Sequence, residues 1–359
     1  MTTDARLAPT YAQARSEVLA AAARCGADVT SFPHPEPGRE GEELAIDVAT
    51  VGADNADSII IVVSGTHGVE GYCGSAAQRW WLDERAASVP DGVRVVIVHA
   101  LNPVGFSWVR RVNEDNVDLN RNFVDWSGPA PSNEGYDEIA DLLVPNEWTP
   151  EAVEQSTAAL LDVAGTVGME RFQEMISSGQ YTHPTGLFHG GTGPVWSHRW
   201  AAEHLPEIVG SAQRLCVIDL HTGLGPWGHG ELISVDEIGS AAYERGTAWW
   251  GDVRSMTDDE SVSADLTGDW LSAVPGWVPN TETTTIAVEY GTVDVISVLQ
   301  ALRSDAWLHA HGDPTSESAA DIRGQVRAAF ADDDPAWLAA VIDRFDEVCQ
   351  ATIAALSPA

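Results

Sequence analysis

The sequence predicts an α/β protein of three layers, α/β/α, with helices on both faces of a mainly parallel or mixed central sheet. Three observations predict it. Five short runs rich in Val and Ile are bounded by Gly, Asn, Asp or Pro, and helical patterns fall between them. The runs are also nearly continuous in apolar residues, as strands covered on both faces require. In chain order, Leu44 to Val51 and Ser58 to Ser64 read as strands and Gly74 to Ser88 as a helix. Val93 to Ala100 is a third strand, and Thr149-Pro150 followed by Glu151 resembles the start of a helix reaching Val163. Arg214 to Leu220 and Thr284 to Glu289 complete the strands, with helices over Gly239 to Trp250, Val293 to Leu308 and Pro335 to Leu356. Residues 124–205 differ in texture, with Gly, Pro, Ser and aromatics among two helical patterns. They read as an insertion between core strands, placed to cover a site, in a single domain spanning residues 1–359.

Composition narrows the function. The 359 residues carry 54 Asp plus Glu against 19 Lys plus Arg, for a formal net charge of -35, and every basic residue is an arginine. With no lysine, a Schiff base or a P-loop lysine is excluded. So acidic a chain repels a nucleic-acid backbone and an anionic bilayer, so neither is an expected partner. With 44% hydrophobic residues and 14 tryptophans, the chain has the apolar surface for a large core. The first 25 residues lack the basic start and apolar block of a secretory signal, and no run approaches a membrane span. A cytoplasmic protein is expected, with Cys25, Cys73, Cys216 and Cys349 as free thiols. The acidic clusters Asp258 to Glu260 and Asp332 to Asp334 read as solvated turns or helix starts.

Candidate chemistry gathers at strand ends. The run SIIIVVSGTHGVE closes on a small-residue turn bearing His67 and Glu70, which can face one ion or simply serve the turn. RLCVIDL ends in His221, and Thr284 to Val288 ends in Glu289. Two histidines and a carboxylate form the donor set of hydrolytic zinc sites, and a further carboxylate beside them can accept a proton from water. Arg110, Arg111 and Arg121 cluster in a chain poor in positive charge. They form either an anion site or ion pairs with Glu114, Asp115 and Asp118.

The ordered set of His67 with Glu70, Asn102-Pro103-Val104-Gly105, Arg111, Asp118-Leu119-Asn120-Arg121-Asn122, His221 and Glu289 resembles the zinc carboxypeptidases of the M14 type. Their relatives include a bacterial metallopeptidase-like branch of unknown function. The resemblance covers roughly residues 44–310. It implies a carboxypeptidase-like fold and one Zn2+ per chain held by His67, Glu70 and His221. It implies further that Glu289 activates water, that Arg111 steadies the oxyanion, and that Asn120 and Arg121 hold a substrate carboxylate, with Arg110 as a further candidate. The expected substrate is a small peptide or an acylated amino acid, cleaved by a metallocarboxypeptidase-like hydrolase. An N-acyl amino acid deacylase of the aspartoacylase-like type is the alternative, and a non-catalytic binding module is the second. A serine hydrolase is disfavoured because no GxSxG occurs. The chain departs from the family in having no tyrosine between Tyr243 and Tyr290, where a mobile one is expected. His183, His189, Trp108, Trp126 and Trp227 lie near the motifs and are candidates for substrate contact or for plain packing and exposure.

Overall fold

The computed structural model describes residues 6–256 and 266–357. Asp258 to Glu260 lie outside the described residues. Eight strands form one mixed sheet: β1 (Asp28–Pro33), β2 (Ala45–Gly52), β3 (Ser58–Ser64), β4 (Val93–His99), β5 (Arg214–Trp227), β6 (Gly230–Ser234), β7 (Arg254–Ser255) and β8 (Glu282–Gly291). Their order is β1-β2-β4-β3-β5-β8-β6-β7. The centre, β4-β3-β5-β8, is parallel, whereas β2 runs antiparallel to β4 and β6 antiparallel to β8.

The five strands expected from sequence are β2, β3, β4, β5 and β8, and their side chains alternate between two apolar layers as the pleat dictates. Ile60 and Val62 of β3, with Cys216 and Ile218 of β5 and Ile286 and Val288 of β8, enter one layer. Ile59, Ile61 and Val63, with Leu215 and Val217, enter the other. Every β3 residue is buried, which accounts for the unbroken apolar run.

Helices α1 (Tyr11–Cys25), α2 (Gly71–Glu84) and α12 (Pro335–Leu356) supply residues to the first layer, as do α10 (Val295–His311) and α11 (Ala319–Phe330), with α8 (Ala241–Trp250) packed against it. The second layer is filled from α7 (Trp196–Val209) and α9 (Trp270–Trp277). Helix starts follow the local chemistry: Thr149 accepts from Ala152 N ahead of Pro150, and Asp334 accepts from Ala336 N ahead of Pro335. Asp334 thus caps α12, while Asp333 pairs with Arg327. No disulfide joins the four cysteines, which are all free. No helix among the described residues is long and apolar enough to cross a membrane.

Between β4 and β5 lie α3 (Pro103–Trp108), α4 (Glu134–Leu143), α5 (Pro150–Val167), α6 (Met169–Ser177) and α7. The two helical patterns read in residues 124–205 are therefore four helices. The first three pack Tyr136, Ile139, Leu160, Phe172 and Met175 into the layer that also holds α10.

Candidate metal and catalytic site

Three adjacent strands deliver the site. β3 ends at Ser64, and the turn that follows carries His67 and Glu70 in a single 3-10 turn. That turn is hung from the backbone of the arginine pair, because Gly68 N donates to Arg111 O at 3.1 Å and Val69 N to Arg110 O at 2.8 Å. A Cβ on Gly68 would lie 2.1 Å from the carbonyl carbon of Gly105, so only glycine fits this crossing. The NPxG motif is thereby explained. Asn102 caps α3 by accepting from Gly105 N at 2.9 Å, Pro103 occupies the first turn, and a Cβ on Gly105 would lie 2.4 Å from the Val112 carbonyl oxygen.

His67, Glu70 and His221 are buried and can each offer one ligand atom within 4.8 Å of the others. Glu70 Oε1 lies 2.9 Å from His67 Nδ1 and Oε2 lies 2.9 Å from His221 Nδ1, while the two Nδ1 atoms stand 3.2 Å apart. The opposite ring nitrogens face carboxylates: His221 Nε2 bonds Asp219 Oδ2 at 2.6 Å, and His67 Nε2 stands 3.3 Å from Asp118 Oδ1. With the ring hydrogens on Nε2, both Nδ1 lone pairs converge on an ionised carboxylate, an arrangement that a cation relieves. The residues fit a divalent metal. Burial opposes charge on His221, but Asp219 and Glu70 outweigh it and raise the imidazole well above its ordinary value. Burial likewise opposes ionisation of Glu70, yet His67 and His221 bring it down to about 2. The pocket is built to hold positive charge.

Glu289 pairs with His221 in the β5/β8 register and accepts from Leu224 N at 2.9 Å. It is half-buried, whereas His67, Glu70 and His221 are buried. Burial, reinforced by the charge on Glu70, raises its carboxyl to about 7. Tyr290 projects to the other face, where it is buried in the first apolar layer.

The arginines divide. Arg111 Nε donates to Asp118 Oδ2 at 2.8 Å and Nη1 reaches Glu70 Oε1 at 3.5 Å, with 15% of the side chain exposed. Burial works against its charge, but Asp118 and Glu70 more than restore it. Arg110 is not brought to the site: its Nε bonds Asp305 Oδ2 of α10 at 2.9 Å and its Nη2 bonds Asn116 at 2.8 Å. The chain thus combines both readings of the cluster, with Arg111 facing the site and Arg110 in a buried ion pair. Asn120 Oδ1 accepts from Trp270 N at 3.3 Å. Arg121 is buried, with Nη1 on the Asn120 carbonyl and 4.0 Å from Asp118.

The other named candidates make contacts of their own, except His189, whose buried Nδ1 has no hydrogen-bond partner. His183 pairs with Asp137 at 2.9 Å, His189 is buried, and Trp126 bonds the Asn122 carbonyl. Trp108 meets the ring of His309 edge-on, while Trp227 is 48% exposed and bonds Asp332. Two placements escaped the sequence reading, Asp118 beside His67 and Asp219 as the partner of His221. Asp219 had a signal. An acid two residues before a strand-terminal histidine shares its face.

Residues 7–344 match the family described as a protein of unknown function, DUF2817. The chain belongs to that family. Among solved structures, this DUF2817 protein is similar to carboxypeptidase A of Helicoverpa armigera, with 12% identity over 89% of this chain and 73% of that one and a TM-score of 0.48. It is similar to thrombin-activatable fibrinolysis inhibitor at 12% identity, with the same coverage and a TM-score of 0.47. An aspartoacylase-family protein of Mesorhizobium loti matches at 13% identity over 85% of this chain and 68% of that one, with a TM-score of 0.39. No curated protein matches the sequence.

Proposed function

We propose that this DUF2817 protein is a metal-dependent hydrolase of amide bonds, carboxypeptidase-like in its chemistry, with one zinc ion per chain held by His67, Glu70 and His221. The observation that carries this reading is the convergence of two imidazole Nδ1 atoms on the Glu70 carboxylate, with Asp118 and Asp219 behind the rings. Two imidazoles and a carboxylate are the donor set of hydrolytic zinc centres. When bound, zinc supplies a Lewis acid that brings the pKa of water to about 7 and polarises a carbonyl. Glu289, in register with His221 on the neighbouring strand, is suited to take the proton of an attacking water and return it to the leaving amine. Arg111 is held through Nε by Asp118, which aims the rest of its guanidinium at the negative charge developing on the carbonyl oxygen.

Elemental analysis of the purified protein should find about one zinc per chain, lost in His67→Ala and in His221→Ala. Glu289→Gln should keep the metal and lower turnover by about 10²- to 10⁴-fold, since it removes the base without removing a ligand. A protein free of metal after gentle purification, or an active Glu289→Gln, would reject the reading.

A further inference from the structure

The DLNRN turn is bound to a segment of the insertion, residues 177–193, by hydrogen bonds from both sides. Arg121 donates through Nε at 3.0 Å and Nη2 at 2.5 Å to the Ser177 carbonyl, which takes the forked face of the guanidinium that a carboxylate would otherwise occupy. Tyr181 Oη donates to the Arg121 carbonyl at 2.6 Å, and Asp118 N donates to the His189 carbonyl at 2.9 Å. Asn122 Nδ2 bonds the carbonyls of Gly190 at 2.8 Å and Gly193 at 3.0 Å. Gly179, at φ +104°, crosses the Arg121 stem so closely that a Cβ would lie 2.7 Å from Cδ. Phe188 then covers both cations, its ring 5.5 Å from the Arg111 guanidinium carbon and 5.4 Å from that of Arg121.

We propose that Arg121 is a latch for residues 177–193 and not a grip for substrate, so that the site accepts neutral amides against Phe188 and does not require a free terminal carboxylate. The second half of this statement rests on the amide-hydrolase reading; the first does not. Arg121 is buried 4.0 Å from Asp118, and its fork is filled by Ser177. An arriving carboxylate finds only the exposed part of Arg111.

Hydrogen exchange of the purified protein, with its metal left in place, tests the latch without turnover. Arg121→Lys keeps the charge beside Asp118 but cannot bond Ser177 through a fork. It should speed exchange in residues 177–193 by about tenfold or more while the strands stay protected. Unchanged exchange in that segment overturns the latch. Gly179→Ala, which leaves Arg121 in place and pushes the segment off it, should have the same effect and guards against misfolding of the first variant.

Turnover tests selection, using N-acetyl-alanyl-phenylalanine and its C-terminal amide as probes. A carboxylate grip would favour the free acid by on the order of 10²-fold or more, because the amide would leave a buried cation unpaired. The latch predicts a kcat/KM ratio within about threefold of one in the wild type, rising toward the free acid in Gly179→Ala as Arg121 is released. Strong preference for the acid in the wild type overturns the proposal. Cleavage of neither probe by zinc-loaded protein counts against amide hydrolysis, and exchange then decides the latch by itself.

Discussion

Asp219 satisfies three donors with one buried carboxylate: Thr66 Oγ1 at 2.8 Å, and His221 Nε2 and Trp270 Nε1 each at 2.6 Å. It fixes which nitrogen of His221 keeps its hydrogen and therefore which lone pair is offered to a metal. Asp219→Asn should leave the fold intact and weaken zinc retention by about 10- to 100-fold, measured by competition with a chelator. Unchanged affinity would mean that the ring is oriented by packing alone. At this scale the candidate set His67, Glu70 and His221 was open to a sequence reading because His67 and His221 each follow the end of an apolar run, as Glu289 does beside them. Asp219 was not, because it sits inside the run. The choice between Arg110 and Arg111 was not legible either, since it is made by Asp305, 195 residues away.

Elements that meet far from the site carry ion pairs that sequence alone does not disclose. Arg85, just beyond α2, donates through Nε and Nη2 to Asp346 of α12 at 2.8 and 2.6 Å. These bonds to Arg85 hold the Asp346 carboxyl below its ordinary value of 3.8. A depressed carboxyl contributes stability above its unfolded pKa and loses it as pH falls through the folded one. Asp346→Asn should therefore cost about 0.2–1 kcal/mol at neutral pH, read by denaturant unfolding, with the difference shrinking below about pH 4. A difference that persists in acid would refute the pairing as its source. The five central strands were legible because burial on both faces makes their runs nearly continuous in apolar residues. β1 was not, because five of its six residues are exposed at the sheet edge and no apolar pattern is left. Helices α7 and α9 carry Pro206 and Pro275 internally, which breaks the usual helical signature.

For the whole molecule, a net charge of -35 surrounds a site whose available cation is Arg111. An anionic substrate is repelled at long range, while a neutral one feels no net force. Raising salt from about 0.01 to about 0.2 M shortens the Debye length from roughly 30 to under 10 Å. It should increase kcat/KM for a free-acid probe and leave that of its amide unchanged. Slower capture of the acid at higher salt would contradict this. The charge count was fully legible in sequence, but its bearing on the site was not, because it depends on which arginines the fold consumes.

The in-register pairing of His221 with Glu289 places the proposed metal ligand and the proposed proton acceptor on neighbouring strands. Their separation is therefore set by a ruler, the roughly 4.8 Å spacing of a hydrogen-bonded sheet. A slip of one residue would present Val288 or Tyr290 in place of the acid. No loop motion can stretch this distance, and only parting the centre of the sheet would do so. On heating, the chemical apparatus and the fold should thus fail together, whereas the surface that chooses the substrate can loosen first.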